Sequence, residues 1–229
     1  MPQRLTLLHS AEVHCRTFDS LRDRLAPSAR LTHKVRPDWL ARAREAGMTQ
    51  HLSAEIHMAV RSAPGRVLCT CTTIAETAAA AGAIRIDQPM MRRAAQSTGP
   101  ILLVCALNST AATSRDLLQN CLDSLDRDTA ITLLVVEEFW PLFEAGQEAN
   151  FSAAIAAAVI EATQARPDFT TVVLAQASMA NAAHLLDGIA PEVLTAPELA
   201  LRAALDLGPE QKPARDLGPL VLGRSHYNK

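Results

Sequence analysis

The chain has 229 residues, 48% of them hydrophobic and 3% aromatic, with a formal net charge of −2 at pH 7. This is enough apolar material for one large or two small packed domains. It offers too few aromatics for base-stacking or sugar platforms and no basic block for a phosphate backbone, so nucleic acid is excluded as a partner.

Leu5 to Leu8 is an apolar run ending in His9-Ser10, a first strand and its carboxyl edge. Arg16 to Leu25 reads as a helix stopped by Pro27, and Leu31 to Val35 as a second strand. Pro37 suits the first turn of the next helix, which Gly47 closes. Ser53 is placed to cap a helix running to Arg61. Val67 to Thr70 is a short strand, Thr72 or Thr73 is placed to cap a helix from Ile74 to Gly82, and Ala83 to Ile86 is a further strand. Asp87 opens a helix with Pro89 in its first turn. Ser97-Thr98-Gly99-Pro100 is the best boundary between halves.

The second half repeats the plan. Ile101 to Ala106 is a strand, followed by the polar loop Leu107-Asn108-Ser109-Thr110 and a helix to about Leu125. Ala130 to Val136 is a strand and Gln147 to Gln164 a long Ala-rich helix. Thr170 to Ala175 is a strand, then come Gln176-Ala177-Ser178 and a helix to Leu186. Glu192 to Thr195 is a short strand, and Pro197 opens a last helix. Strands alternating with helices argue for parallel α/β sheets. The domains expected are 1–97 with 198–229, and 98–197. Pro209 to Lys229 carries little pattern and reads as a tail or a partner-contacting arm.

No apolar run reaches membrane-spanning length, and the N-terminus opens directly into a strand pattern. Neither a transmembrane helix nor a signal peptide is expected. Five cysteines without disulfide-scaffold spacing point to the cytoplasm. Cys69-x-Cys71 with His9, His14 or Cys15 matches no common zinc spacing, so no metal is expected. Lysine occurs only at Lys34, Lys212 and Lys229, none placed for a pyridoxal phosphate Schiff base. No Gly-rich phosphate motif is present. The expectation is an absence of cofactors.

The stretch around Cys71 organises the chain. A thiol between a strand end and a helix N-terminus sits among unpaired backbone N–H groups, which favour thiolate and are expected to lower its pKa. The same groups suit a carboxylate. Cys69, inside the strand, reads as a buried small hydrophobe. VLCTCTTIA, starting at Val67, aligns without a gap on VVLAQASMA, starting at Val172, and Asp87-Gln88-Pro89 falls on Thr195-Ala196-Pro197. Two similar units then face each other, with ligands beyond the carboxyl ends of their strands. Four clusters meet there: His9-Ser10, Cys71-Thr72-Thr73, Asn108-Ser109-Thr110 and Gln176-Ala177-Ser178.

VLCTCTT followed by IDQPMMRRA, then LLVCALNSTAAT, VVLAQASMA and VLTAPELAL, resembles the aspartate/glutamate/hydantoin racemase superfamily over most of residues 4–205. The resemblance implies two pseudo-symmetric α/β domains with the site in the cleft between them. It also implies cofactor-independent proton transfer at the α-carbon of a small carboxylate, with one cysteine from each half. Cys71 matches the first-half cysteine and Thr72-Thr73 the adjoining carboxylate-binding pair. His9-Ser10 and Asn108-Ser109-Thr110 match the remaining binding loops. The second-half cysteine position is Gln176, which has no proton to exchange near neutral pH.

Some branches work with one cysteine: arylmalonate decarboxylases lose carbon dioxide and reprotonate from one side, though their cysteine lies in the second half. In maleate isomerases the first-half cysteine is a nucleophile, though a second is present. The resemblance implies a single-cysteine enzyme, racemase-like or decarboxylase-like, with α-proton exchange on one face only. Thr72, Thr73, Ser109 and Thr110 are the expected donors to an enolate-like intermediate. The alternative is a small-carboxylate binding protein that kept the cleft and lost turnover. Homo-oligomer formation is left open.

Overall fold

The structure, a computed structural model, describes residues 3–208 and resolves the alternation of strands and helices into two four-stranded sheets. The first contains β1 (Arg4–His9), β2 (Arg30–Val35), β3 (Arg66–Cys69) and β4 (Ile84–Arg85), in the order β2-β1-β3-β4. The second contains β5 (Ile101–Cys105), β6 (Ile131–Val135), β7 (Thr171–Leu174) and β8 (Glu192–Thr195), in the order β6-β5-β7-β8. All pairings are parallel.

The helices are α1 (Val13–Leu25), α2 (Pro37–Ala46), α3 (Gln50–Arg61), α4 (Thr72–Ala80), α5 (Gln88–Ala94), α6 (Asn108–Asp123), α7 (Trp140–Glu144), α8 (Glu148–Ala165) and α9 (Ala196–Ala204). A 3-10 helix runs over Ala177–Leu185. Among the described residues no helix is long and apolar enough to cross a membrane. The tail Pro209 to Lys229 lies outside the described residues.

The internal repeat is structural. Leu8 pairs with Cys69 in the first sheet, as Val104 pairs with Leu174 in the second. The N–H of Arg36 donates to the His9 carbonyl at 2.8 Å, and the N–H of Val136 to the Cys105 carbonyl at 2.9 Å. Cys71 and Gln176 each cap the element that follows, both with extended backbone.

Side chains alternate along each strand, so each sheet buries two faces. Leu5, Leu7 and Leu68 share one central core with Leu103, Cys105 and Val173, filled by residues of α1, α5, α6 and α9. Leu8, Val67 and Cys69 face an outer core with Trp39, Leu52 and Ile74. Leu102, Val104 and Val172 face the other, with Trp140, Phe151 and Ile155. The last helix of each half crosses over. α5 packs against β7, β8 and α6, and α9 packs against β3 and α1.

Local departures from the sequence expectations have simple causes. Thr49, not Ser53, caps α3, its hydroxyl accepting from the Leu52 N–H at 3.2 Å. Asn108-Ser109-Thr110 is the first turn of α6 rather than a loop, because Leu107 is already extended as the cap. Asp87 does not cap α5 with its side chain. Its fully buried carboxylate instead takes both arms of the Arg85 guanidinium, at 2.9 and 2.8 Å. The segment after β6, unassigned in the sequence, forms a 3-10 turn over Glu137–Phe139 and then α7.

Candidate active site

In the strand order β2-β1-β3-β4 the side on which strands are added switches between β1 and β3, and in the second sheet between β5 and β7. Such switch points open a crevice at the strands' carboxyl ends. Here both crevices face one cavity of about 440 Å³. Its floor is made by Ser10 after β1, Thr70 to Thr73 after β3, Leu107 and Thr110 after β5, and Gln176 to Ser178 after β7. Its mouth is made by α2, through Pro37, Leu40 and Arg44, and by α7, through Trp140, Phe143 and Glu144. Arg44 and Glu144 pair across the mouth at 3.0 Å. The pair is exposed and contributes little stability.

Of the residues expected from sequence, Ser10, Cys71, Thr72, Thr73, Thr110, Gln176, Ala177 and Ser178 come together in this wall. Three do not. Asn108 and Ser109 are exposed, and the Asn108 amide donates outward to Glu137. His9 is fully buried behind Thr70: its Nδ1 and the Thr70 hydroxyl oxygen are 2.7 Å apart, and its Nε2 meets His33 Nδ1 at 2.8 Å. Burial, with His14 and His33 nearby, lowers the His9 pKa from 6.5 to about 3.

His9, His33 and Cys15 gather potential metal-ligand atoms within 4.8 Å of one another. Their geometry is that of a hydrogen-bonded chain. The two imidazoles are nearly coplanar at 17°, with nitrogen facing nitrogen, and the chain continues from His33 Nε2 to Asp19 at 3.4 Å. Each of these ring nitrogens already has a partner, and the arrangement positions Thr70 beside Cys71.

The thiol expectation is corrected by the structure. Burial of Cys71 pushes its pKa up. Hydrogen bonds from the Ser10 hydroxyl, the N–H groups of Ile74 and Thr73, and the Thr73 hydroxyl pull the other way without prevailing. The donors foreseen from the helix N-terminus are present, but an apolar surround disfavours the charged form more strongly than they favour it. Cys71 therefore rests as a thiol carrying a proton. Cys69 is fully buried, with its thiol donating to the Cys71 carbonyl at 3.6 Å, and belongs to the core. Cys105 is equally buried, its pKa pushed up to about 11.

Hydroxyl donors divide by what they already bond. Thr110 gives its proton to the Leu107 carbonyl at 2.8 Å and Thr72 to the Ala175 carbonyl at 3.5 Å. Thr70 gives its proton to the Leu8 carbonyl at 3.0 Å, and the Ser10 and Thr73 hydroxyls are directed at the Cys71 sulfur, which leaves Ser178 as the uncommitted hydroxyl of the cavity floor. Gln176 adds a fixed donor. Its Oε1 accepts from the Ala106 N–H at 2.7 Å, which sets the amide's orientation, and its buried Nε2 has no partner. An unmade hydrogen bond on a buried amide costs about 1–3 kcal/mol, and an acceptor atom of a ligand in the cavity would satisfy it.

Arg44, Trp140, Phe143 and Glu144 are wall residues that the sequence did not single out, and His14 entered there only as a conceivable metal ligand. His14 and Arg44 sit in ordinary helical patterns. The others belong to α7, which is too short to carry a periodicity.

No protein-family model matches the chain, and no curated protein does. Solved structures do. An aspartate racemase from Picrophilus torridus superimposes with a TM-score of 0.67 at 13% identity, over 89% of this chain and 93% of that one. A glutamate racemase from Aquifex pyrophilus gives 0.60 at 11% identity, over 90% and 84%. An allantoin racemase from Pseudomonas fluorescens gives 0.58 at 14% identity, over 90% of each chain. At these identities the likeness is one of architecture: this chain shares the fold of these aspartate, glutamate and allantoin racemases.

Proposed function

We propose that the protein is a cofactor-independent enzyme that transfers a proton at the carbon beside the carboxylate of a small molecule, with Cys71 as its only catalytic thiol. One observation carries the reading. Cys71 lines a cavity at the helix N-terminus of α4, among the hydroxyls of Ser10 and Thr73 and the N–H groups of Thr73 and Ile74. The substrate carboxylate rests on the Thr73 and Ser178 side of the floor, where hydroxyls and helix-terminal N–H groups favour an anion. The apolar remainder of the molecule lies against Leu40, Trp140 and Phe143.

Gln176 Nε2 donates to a substrate oxygen, which stabilises the charge that builds as the carbon loses its substituent. Cys71, resting protonated, delivers its proton to that carbon and is reprotonated from solvent. The group lost from the carbon is either carbon dioxide, which leaves as gas in a decarboxylation, or a proton passed to a base on the face opposite Cys71, as in a racemisation.

The second reading is a carboxylate-binding protein without turnover. It is favoured by the elevated Cys71 pKa and by glutamine at the second-half position. The test incubates the protein with aspartate, glutamate, phenylglycine, allantoin and phenylmalonate, and follows products by NMR. Turnover by the wild type that is lost in Cys71→Ser supports the enzyme. Binding detected by saturation transfer with no turnover supports the second reading.

A further inference from the structure

We infer that His14 is the second proton-transfer group of the cleft, serving the face of the substrate turned away from Cys71. The inference rests on the enzyme reading above and names the partner that reading lacks. His14 lies in the first turn of α1, five residues beyond the last residue of β1, as Thr110 lies five residues beyond the last residue of β5. Both side chains line the cavity.

The His14 ring lies between the two halves, its centroid 6.1 Å from that of His9 in the first half. It stacks on Phe143, with centroids 6.2 Å apart and planes at 25°. It also shares the wall of a small adjoining void with Ala177 and Ser178, the residues that follow Gln176. So the strand end that lacks a thiol has an imidazole beside it.

The other ionisable groups in the wall are less suited. Glu144 accepts from the Trp140 indole at 2.7 Å and from Arg44 at 3.0 Å. Glu12 is exposed, and its carboxylate faces the Cys15 thiol at 3.8 Å. His14 is buried, and burial lowers its pKa to about 4, so it stands neutral with a free lone pair at ordinary pH.

The proton count closes. Neutral His14 takes the proton from its face of the substrate carbon, and the bonding pair moves onto the substrate as an enolate held by Gln176 and the floor donors. The Cys71 thiol then gives its proton to the opposite face. This leaves imidazolium and thiolate, and one proton returning from the first to the second through water restores the resting pair. The opposite enantiomer reacts by the same steps in reverse from the imidazolium–thiolate form, a minor species given the lowered His14 and raised Cys71 pKa, so its exchange is the slower of the two. The sequence alone, with Gln176 at the second position, predicts exchange on one face, and His14 supplies the other.

The test is deuterium incorporation from D2O into the separate enantiomers of aspartate, glutamate, phenylglycine and allantoin, for wild type, His14→Asn and His14→Gln. The expected result is label in both enantiomers of the accepted compound with wild type. In both variants, exchange at one enantiomer persists while exchange at the other falls at least about 10²-fold. The surviving exchange is the internal control for folding. Wild-type label confined to one enantiomer, unchanged exchange in the variants, or equal loss at both faces in variants of unaltered melting temperature overturns the assignment of His14. Wild-type protein that exchanges no probe overturns the enzyme reading instead, and this inference with it.

Discussion

The strand ends after β3 and after β7 share a register and an extended cap but carry different chemistry, one leading into an α-helix and the other into a 3-10 helix. Register, cap position and extended cap conformation coincide, yet one cap is a thiol among donors and the other an amide pinned by the Ala106 N–H. The first is built to hold or release a proton, the second to hold an acceptor still. Pseudo-symmetry thus preserves where groups stand while leaving each half free to change what they do.

The comparison breaks most visibly at Cys71. Cys71→Ser is expected to lower turnover by about 10²–10⁴-fold, whereas Cys69→Ser and Cys15→Ser retain activity, as measured by steady-state assay on any accepted compound. Equal activity in Cys71→Ser would remove the distinction between the two ends.

A second asymmetry lies at the caps of α5 and α9. Asp87 is fully buried against Arg85, while its counterpart Thr195 carries no charge. Asp87→Ala leaves a nearly buried guanidinium unpaired, and a loss of about 3–5 kcal/mol is expected in urea denaturation. Thr195→Ala is expected to cost far less.

The third prediction concerns acid. His14 and His9 have folded-state pKa values of about 4 and about 3, against 6.5 when unfolded. Between those limits the unfolded chain binds more protons, so stability is full above pH 6.5 and falls as pH drops toward 3. Going from pH 7 to pH 5 is expected to remove about 2 kcal/mol through His14 alone. His14→Gln is expected to flatten the slope of melting temperature against pH, and an unchanged slope would refute the assignment.

The smallest effect is at Gln176. Gln176→Leu leaves the Ala106 N–H unpaired but also removes the unpartnered Nε2, each at about 1–3 kcal/mol, so the denaturation midpoint is expected to move little. A large destabilisation would mean that Gln176 Nε2 is not unsatisfied in the free protein.

Much of this was legible in the sequence because it is written locally. Strand runs, helix-opening prolines and the gapless match of VLCTCTTIA to VVLAQASMA foretell two parallel sheets and where their ends meet. The floor residues Cys71 to Thr73 and Gln176 to Ser178 follow from that alignment, and Ser10 and Thr110 from the ends of the runs Leu5 to Leu8 and Ile101 to Ala106. What failed to show depends on three-dimensional surroundings. The donors around Cys71 can be inferred from a helix start, but the exclusion of water that outweighs them cannot. Trp140 and Phe143 lie in a helix of five residues containing Pro141, too short to advertise a face. His9 looks like a strand-end polar group until His33, brought alongside by the β1–β2 pairing, is seen to claim it.

The crossing of α5 and α9 bears on the order in which the protein is made. The first sheet leaves the ribosome with β4 complete at Arg85, but α9, which packs against β3 and α1, ends at Ala204. While the residues between Arg85 and Ala204 are made, the apolar face bearing Leu5, Leu7 and Leu68 waits for a cover encoded after the whole second sheet. A nascent chain halted before α9 carries an exposed sheet face of the kind that associates with its neighbours. The second sheet has α5 at hand from the moment its strands appear. The two halves share one architecture yet mature on different schedules, and the older half is the last to close.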